Sequence, residues 1–319
     1  MKSILYFRIN ALCAAMLLLL AGCEHKELSD GYPHTATVKV VFDWKNAPDA
    51  DPEMMCIYFY PKNGGEALRH DFTDIRGGVI KLPVGRYDAI CLNSDTEKIY
   101  FRNIDKRETF EVYTGETSLL SPLGLYAVEP PRADAAADEK VVACPDRIWS
   151  GTQDDIVIAS KDREYTVTLC PEYVLSTYTY EIRNAENLKT VTSISGALSG
   201  MAGSMLLAER RLAGERVTLP FEAHSDGAST LTGEFLTFGH CPQAGDGHQF
   251  TIYAVLKDGS KWYYNFDVAN VTSQIHNAAD PRRVHIVLDG LPLPAPVEDP
   301  GGMNPSVDGW QDVNVDLEM

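Results

Sequence analysis

Apolar and polar positions alternate from Thr35 to Trp44 (TATVKVVFDW), with Val38, Val40 and Phe42 on one face and Lys39 and Asp43 on the other. Period two in a β-branched run predicts a half-buried strand. Met54 to Tyr60 (MMCIYFY) is almost continuously apolar and stops at Pro61 before the turn Asn63-Gly64-Gly65, which predicts a second strand. Further strand patterns follow at Gly78 to Leu82, Arg86 to Leu92, Ile99 to Asn103 and Thr109 to Tyr113, with Pro83-Val84-Gly85 as one of the turns between them. Short strands punctuated by Gly, Pro, Asn and Asp predict an antiparallel β-sandwich.

The Pro-, Ala- and acid-rich stretch 128–140 is a loop inside this first unit, and the boundary falls near Ser160 to Arg163. A second series then runs through Tyr165 to Leu169, Leu175 to Ile182, Met205 to Leu207, Val217 to Phe221, Gly233 to Phe238 and Phe250 to Leu256. Asp258-Gly259 supplies the positive φ angles of a primed hairpin turn, Trp262 to Val268 returns, and Arg283 to Leu288 closes the unit. Val191 to Met205 (VTSISGALSGMAGSM) breaks the pattern. Its three glycines argue against a long helix, so it is expected as a tight helical turn or a loop packed on a sheet. After a Pro/Gly-rich stretch, Val313, Val315 and Leu317 alternate with polar residues in the terminal QDVNVDLEM. That pattern predicts an extra strand, paired at home or with a neighbouring molecule.

The N-terminus has a different grammar. Lys2 and Arg8 precede a wholly apolar run, Ala11 to Leu20, which is about half the roughly 20 residues a spanning helix needs. A basic start, a short apolar run and small residues predict a cleaved signal peptide over residues 1–22. Leu20-Ala21-Gly22-Cys23 resembles the bacterial lipobox, which makes Cys23 the lipidated first residue of the mature chain. Acyl chains contribute about 0.8 kcal/mol per buried CH₂, so a multiply acylated cysteine tethers the protein firmly without spanning. The expected organisation is a signal peptide at 1–22, a lipidated tether at 23–33, β-sandwiches at 34–160 and 161–290, and a tail at 291–319.

Charge narrows the partners. The 319 residues carry 28 Lys+Arg against 45 Asp+Glu, a formal charge of −17. Removing residues 1–22 takes away two cations and no acid, which makes it −19. Such a body repels phosphate backbones and anionic leaflets, which excludes nucleic acid and leaves the lipid on Cys23 as the membrane contact. Two acids directly follow that cysteine, at Glu24 and Glu27, which resembles the surface-export signals of Bacteroidetes lipoproteins.

No catalytic motif is present: H-E-x-x-H, G-x-S-x-G and the phosphate-binding glycine loops are all missing, so no catalytic residue and no cofactor is expected. His240-Cys241 with His248 is the one close set of metal-ligating types, but its glycine-rich segment is expected as a hairpin loop and no metal is assigned. Asp49 and Asp51 lack the grammar of a calcium loop. Once Cys13 leaves with the signal and Cys23 is acylated, five cysteines remain: Cys56, Cys91, Cys144, Cys170 and Cys241. An odd number leaves at least one thiol outside any internal bridge, and Cys56 and Cys91 lie in apolar strand patterns as core thiols.

The lipobox, the T-V-x-V-x-F-D-W strand (Thr37 to Trp44), M-x-C-I-Y-F-Y-P (Met54 to Pro61) and S-G-A-L-S-G-M-A-G (Ser195 to Gly203) together resemble Bacteroides lipoproteins of the fimbrial anchor and minor-subunit type. The hairpin around Pro83-Val84-Gly85 resembles those of transthyretin-like sandwiches. The resemblance implies an all-β chain of two tandem transthyretin-like antiparallel sandwiches, a lipid anchor in the outer membrane with surface display, and a non-enzymatic role in fimbrial assembly or adhesion. In related pilins subunits join by strand exchange through a chain end, which makes Val313, Val315 and Leu317 the candidate exchange residues and fimbrial subunits the partners. The alternative is a glycan-binding surface lipoprotein, with Trp44, Trp149, Trp262 and Trp310 as stacking platforms.

Overall fold

The computed structural model describes residues 34–125, 130–213, 215–241, 247–295 and 309–315. The expected signal peptide, Cys23 and Leu317 lie outside them. In the first half the strands are β1 (Thr35–Phe42), β2 (Met55–Pro61), β3 (Leu68–Phe72), β4 (Gly77–Pro83), β5 (Gly85–Asn93), β6 (Ile99–Arg102), β7 (Glu111–Thr114), β8 (Lys140–Val141), β9 (Trp149–Ile158), β10 (Glu164–Leu169) and β11 (Glu172–Tyr173). A three-stranded sheet, β10-β1-β4, faces a five-stranded sheet, β11-β9-β5-β2-β3. Val38, Val40 and Phe42 point into the core between them and Lys39 points out, as the alternation predicts.

The continuous apolar run of β2 has a simple cause. Met55, Ile57 and Phe59 fill that first core, while Cys56, Tyr58 and Tyr60 on the opposite face fill another core with β6 and β7. A strand buried on both faces has no polar side to show.

The second half contains β12 (Ser176–Ala185), β13 (Val191–Ala202), β14 (Ser204–Leu206), β15 (Arg211–Leu212), β16 (Arg216–Glu222), β17 (His224–Ser225), β18 (Leu231–Thr237), β19 (Phe250–Leu256), β20 (Lys261–Phe266), β21 (Arg283–Leu291) and β22 (Trp310–Val315). One helix, α1 (Val268–His276), lies between β20 and β21. The sheets β17-β18-β12-β21 and β22-β20-β19-β13-β16-β8 enclose the largest core.

The all-β class holds, with three departures from the sequence reading. Val191 to Ala202 is neither a turn nor a loop but the long central strand β13, with a bulge between Leu198 and Met201. Its glycines serve side-chain packing. A Cβ at Gly196 would stand 2.3 Å from the Phe221 ring, and Gly200 at the bulge has φ +76°. Second, β10 pairs in parallel with β1 from Thr37↔Glu164 to Phe42↔Leu169, so a strand assigned to the second unit completes the first. The boundary expected near Ser160 to Arg163 therefore cuts through a sheet pairing. Third, the halves are not simply in series. β14 pairs with β7, and β8 crosses to pair with β16. A shared core joins Tyr58, Leu92 and Phe110 to Met205, Leu207 and Phe238.

Helix α1 is also new relative to the strand reading. Asp267 caps it, accepting from Ala269 N at 3.2 Å and Asn270 N at 3.0 Å, and Val271 and Ile275 at i,i+4 bury its inner face.

Candidate functional site

The terminal strand β22 lies in parallel along β20, in register from Lys261↔Trp310 to Phe266↔Val315, at one edge of the six-stranded sheet. Val315, 8% exposed, and the half-buried Val313 turn to the main core, beside Tyr264 and Phe266. On the opposite face Trp310 packs edge-on against Tyr253, with ring centroids 5.6 Å apart. Asn265 Nδ2 donates to Asp312 Oδ1 at 3.4 Å. The Trp310 indole N–H is buried without a hydrogen-bond partner. Burying a valine side chain contributes about 1.5–3 kcal/mol, and an unsatisfied buried donor costs about 1–3 kcal/mol. The orphaned donor therefore offsets part of what the valines and the indole ring contribute at this edge. Among the described residues no strand pairs with the outer side of β22.

None of the four tryptophans is an exposed platform. Trp149 is buried, and Trp44 packs edge-on against it while its Nε1 donates to the Ile75 carbonyl at 2.7 Å. Trp262 is half-buried, stacked against Tyr264, and bonds through Nε1 to Ser260 Oγ at 3.1 Å. The five described cysteines form no disulfide. Cys56 and Cys91 are fully buried, and burial pushes the Cys56 thiol up to about 12, far from the range of a nucleophilic thiolate. Among the described residues no helix is long and apolar enough to cross a membrane.

A histidine cluster forms where the connection between β18 and β19 meets α1. The sequence brought His240 and His248 into one view, and the fold adds His276 from the last turn of the helix. The Nε2 atoms of His248 and His276 are 3.1 Å apart, and His248 Nδ1 lies 3.0 Å from the Ser199 carbonyl. Ring centroids are separated by 5.2 Å for His240–His276, 5.2 Å for His248–His276 and 5.9 Å for His240–His248. Burial, reinforced by the neighbouring histidines and Arg216, holds His248 down to about 4, and His240 is lowered by burial and by His276. His276 escaped the sequence reading because it sits 28 residues beyond His248. The signal that could have found it is the helix: an Asp267 cap followed by Val271 and Ile275 puts His276 in the final turn.

Against known proteins, the model of the family described as "Domain of unknown function (DUF5119)" matches residues 22–222. A Bacteroides ovatus protein named "Putative fimbrium anchoring subunit Fim4B" is 26% identical over 340 residues, covering 95% of this chain and 96% of its own. Among solved structures, a "putative adhesin" from Bacteroides ovatus superposes with a TM-score of 0.60 at 21% identity, over 86% of this chain and 99% of that one. The fold is therefore one already seen in an experimental structure.

Proposed function

The chain belongs to the DUF5119 family, whose model spans residues 22–222, and from that premise we propose that it is a lipid-anchored protein of the outer-membrane surface that holds or joins a fimbrium. The observation that carries this reading is the end-to-end similarity to the Bacteroides ovatus protein named "Putative fimbrium anchoring subunit Fim4B", 95% of one chain against 96% of the other. Similarity of that extent covers the whole architecture and not one shared module. Cys23, at the end of Leu20-Ala21-Gly22, supplies the lipid attachment, and the acidic body is held off the leaflet by like charge.

The mechanical role follows from the two ends of the chain. The N-terminal lipid takes the load from the membrane. Strand β22 is the exchangeable element: leaving the β20 edge, it offers Val313 and Val315 to the sheet of a fimbrial subunit, or it opens that edge to a subunit's strand. Leu317 continues the same alternation. Main-chain hydrogen bonds supply the affinity of such an exchange and the alternating valines its register. A glycan-binding role is not favoured, because all four indoles are packed against other side chains or held in hydrogen bonds.

Replacing Cys23→Ala tests the anchor. The expected result is a folded protein that no longer fractionates with the outer membrane, together with fimbriae shed into the medium. Retention of both protein and fimbriae on the cells would refute the lipid-anchor reading.

A further inference from the structure

We propose that His248 and His276, completed by His240, bind one divalent transition-metal ion of the zinc class. The His248–His276 pair has the spacing of two ligands of one ion, and His240 lies beside it. Donor nitrogens about 2.05 Å from a tetrahedral zinc stand about 3.3 Å from one another, and the corresponding ring centroids about 5.2 Å apart. The His248 and His276 Nε2 atoms are 3.1 Å apart, and two of the three centroid separations are 5.2 Å. The third, 5.9 Å between His240 and His248, is wider.

The tautomers fit as well. A backbone carbonyl can only accept, so the contact with Ser199 places the proton of neutral His248 on Nδ1 and leaves a lone pair on Nε2, facing His276. An Nδ1–H held by a carbonyl is the outer contact that orients a metal-ligating imidazole. His240 has its Nδ1 engaged by the Tyr178 hydroxyl at 3.2 Å, which leaves Nε2 as its donor atom. Without an ion, the His276 Nε2–H donates to the His248 lone pair.

Among the described residues no three such side chains already converge on one point, so the site closes by side-chain rotation. Buried His248 is the fixed ligand. His276 is exposed and is the ligand that turns onto the ion, while half-buried His240 keeps its contact with Tyr178. A cleft beside α1, lined by Gly247, Val268, Thr272 and His276, gives access from solvent. The nearest opposing charge is Arg216, and the Glu139 carboxylate offsets it by accepting from Arg216 Nε at 3.0 Å. Neutral imidazole donors select zinc, cobalt, nickel or copper over calcium and magnesium, which take oxygen ligands. A bound ion would clip the chain on both sides of the β18–β19 connection to helix α1.

The test is titration of the full chain in detergent with cobalt(II), followed by visible absorption, with zinc as competitor. One equivalent should produce the absorption of tetrahedral cobalt, zinc should abolish it, and zinc should raise the unfolding temperature. His276→Gln, at an exposed position that leaves the core intact, should weaken cobalt binding at least tenfold. His285→Gln, at an exposed histidine on β21 whose Nδ1 lies 2.9 Å from Thr179 Oγ1, should leave it unchanged. No saturable absorption at one equivalent, or equal affinity in His276→Gln and the parent chain, would overturn the proposal.

Discussion

Strands β10 and β22 are near twins in the ladder and opposites in how they are held. Each lies at a sheet edge, each pairs in parallel with a single neighbour, and each ladder holds six registered residue pairs. Yet β10 is pinned. It follows β9 after a short turn, and the Tyr165 hydroxyl accepts from the Ala159 and Ser160 amides at 3.0 and 2.8 Å, clamping that turn. Its Val167 and Leu169 are 5% and 1% exposed in the first core, and Asp43 N donates to the Leu169 carbonyl at 2.8 Å. In β22 one valine is buried, the other is half-buried, and the indole N–H is unsatisfied. Equal backbone pairing thus does not mean equal retention. On the proposed reading, side-chain anchoring and the connection to the chain are what would let β22, and not β10, be exchanged.

The comparison breaks most easily at the buried anchor. Leu169→Ala should cost about 2–5 kcal/mol in denaturant unfolding, because it empties a site in the first core. Val315→Ala removes two methyl groups and should cost about 1.5 kcal/mol at ~0.8 kcal/mol per buried carbon. Deleting Gln311 to Met319 should leave a cooperative transition, whereas equal losses from Leu169→Ala and Val315→Ala would erase the distinction. Hydrogen exchange gives the next largest contrast. The amides of β22 should exchange by local opening well before those of β10, which should open only with the sheet.

Acid provides a weaker lever, on the β7–β14 crossing and not on either edge. Hydrogen bonds from Arg102 and Ser204 hold the Glu111 carboxyl below the usual carboxylate range. A depressed folded value means its stabilisation is complete above about pH 4.3, the unfolded value, and is lost as pH falls through the folded one. Unfolding followed against pH should show this acid-side loss in the parent chain and a smaller one in Glu111→Gln. The smallest effect is expected for Trp310→Phe. Losing the orphaned N–H offsets the lost ring area, so stability should stay within about 1 kcal/mol and exchange of the β22 amides should change little.

Much of this architecture is legible in the sequence wherever one face of a strand meets solvent. The alternation in β1 names its buried residues directly, and the Asp258-Gly259 signal does mark the β19–β20 hairpin, although only Gly259 has positive φ and the turn is not a primed one. Legibility fails where both faces are buried. In β13, Leu198 faces the main core and Ala197 the opposite cluster of Tyr253 and Tyr263, so no alternation survives, and its packing glycines imitate a loop. Pairing between distant segments is also invisible. Nothing in YTVTL says that it will lie beside β1, and β14 finds β7 across some ninety residues of chain. The histidine cluster is half hidden for the same reason, since the β18–β19 connection supplies His240 and His248 and only helix α1 adds His276. The terminal strand was legible as a strand, and its home partner β20 was not.

A reversible lock on β22 tests the exchange most directly. Asn265 and Asn314 are register partners on the face away from the main core, so Asn265→Cys with Asn314→Cys can tie the strand to β20 through a disulfide. The lipidated, oxidised double variant is compared on cells with its reduced form and with Asn314→Cys alone. The expected result is loss of attached fimbriae only while the lock is closed, with recovery on reduction and normal attachment in the single variant. Normal attachment in a fully locked protein would contradict strand exchange at this edge.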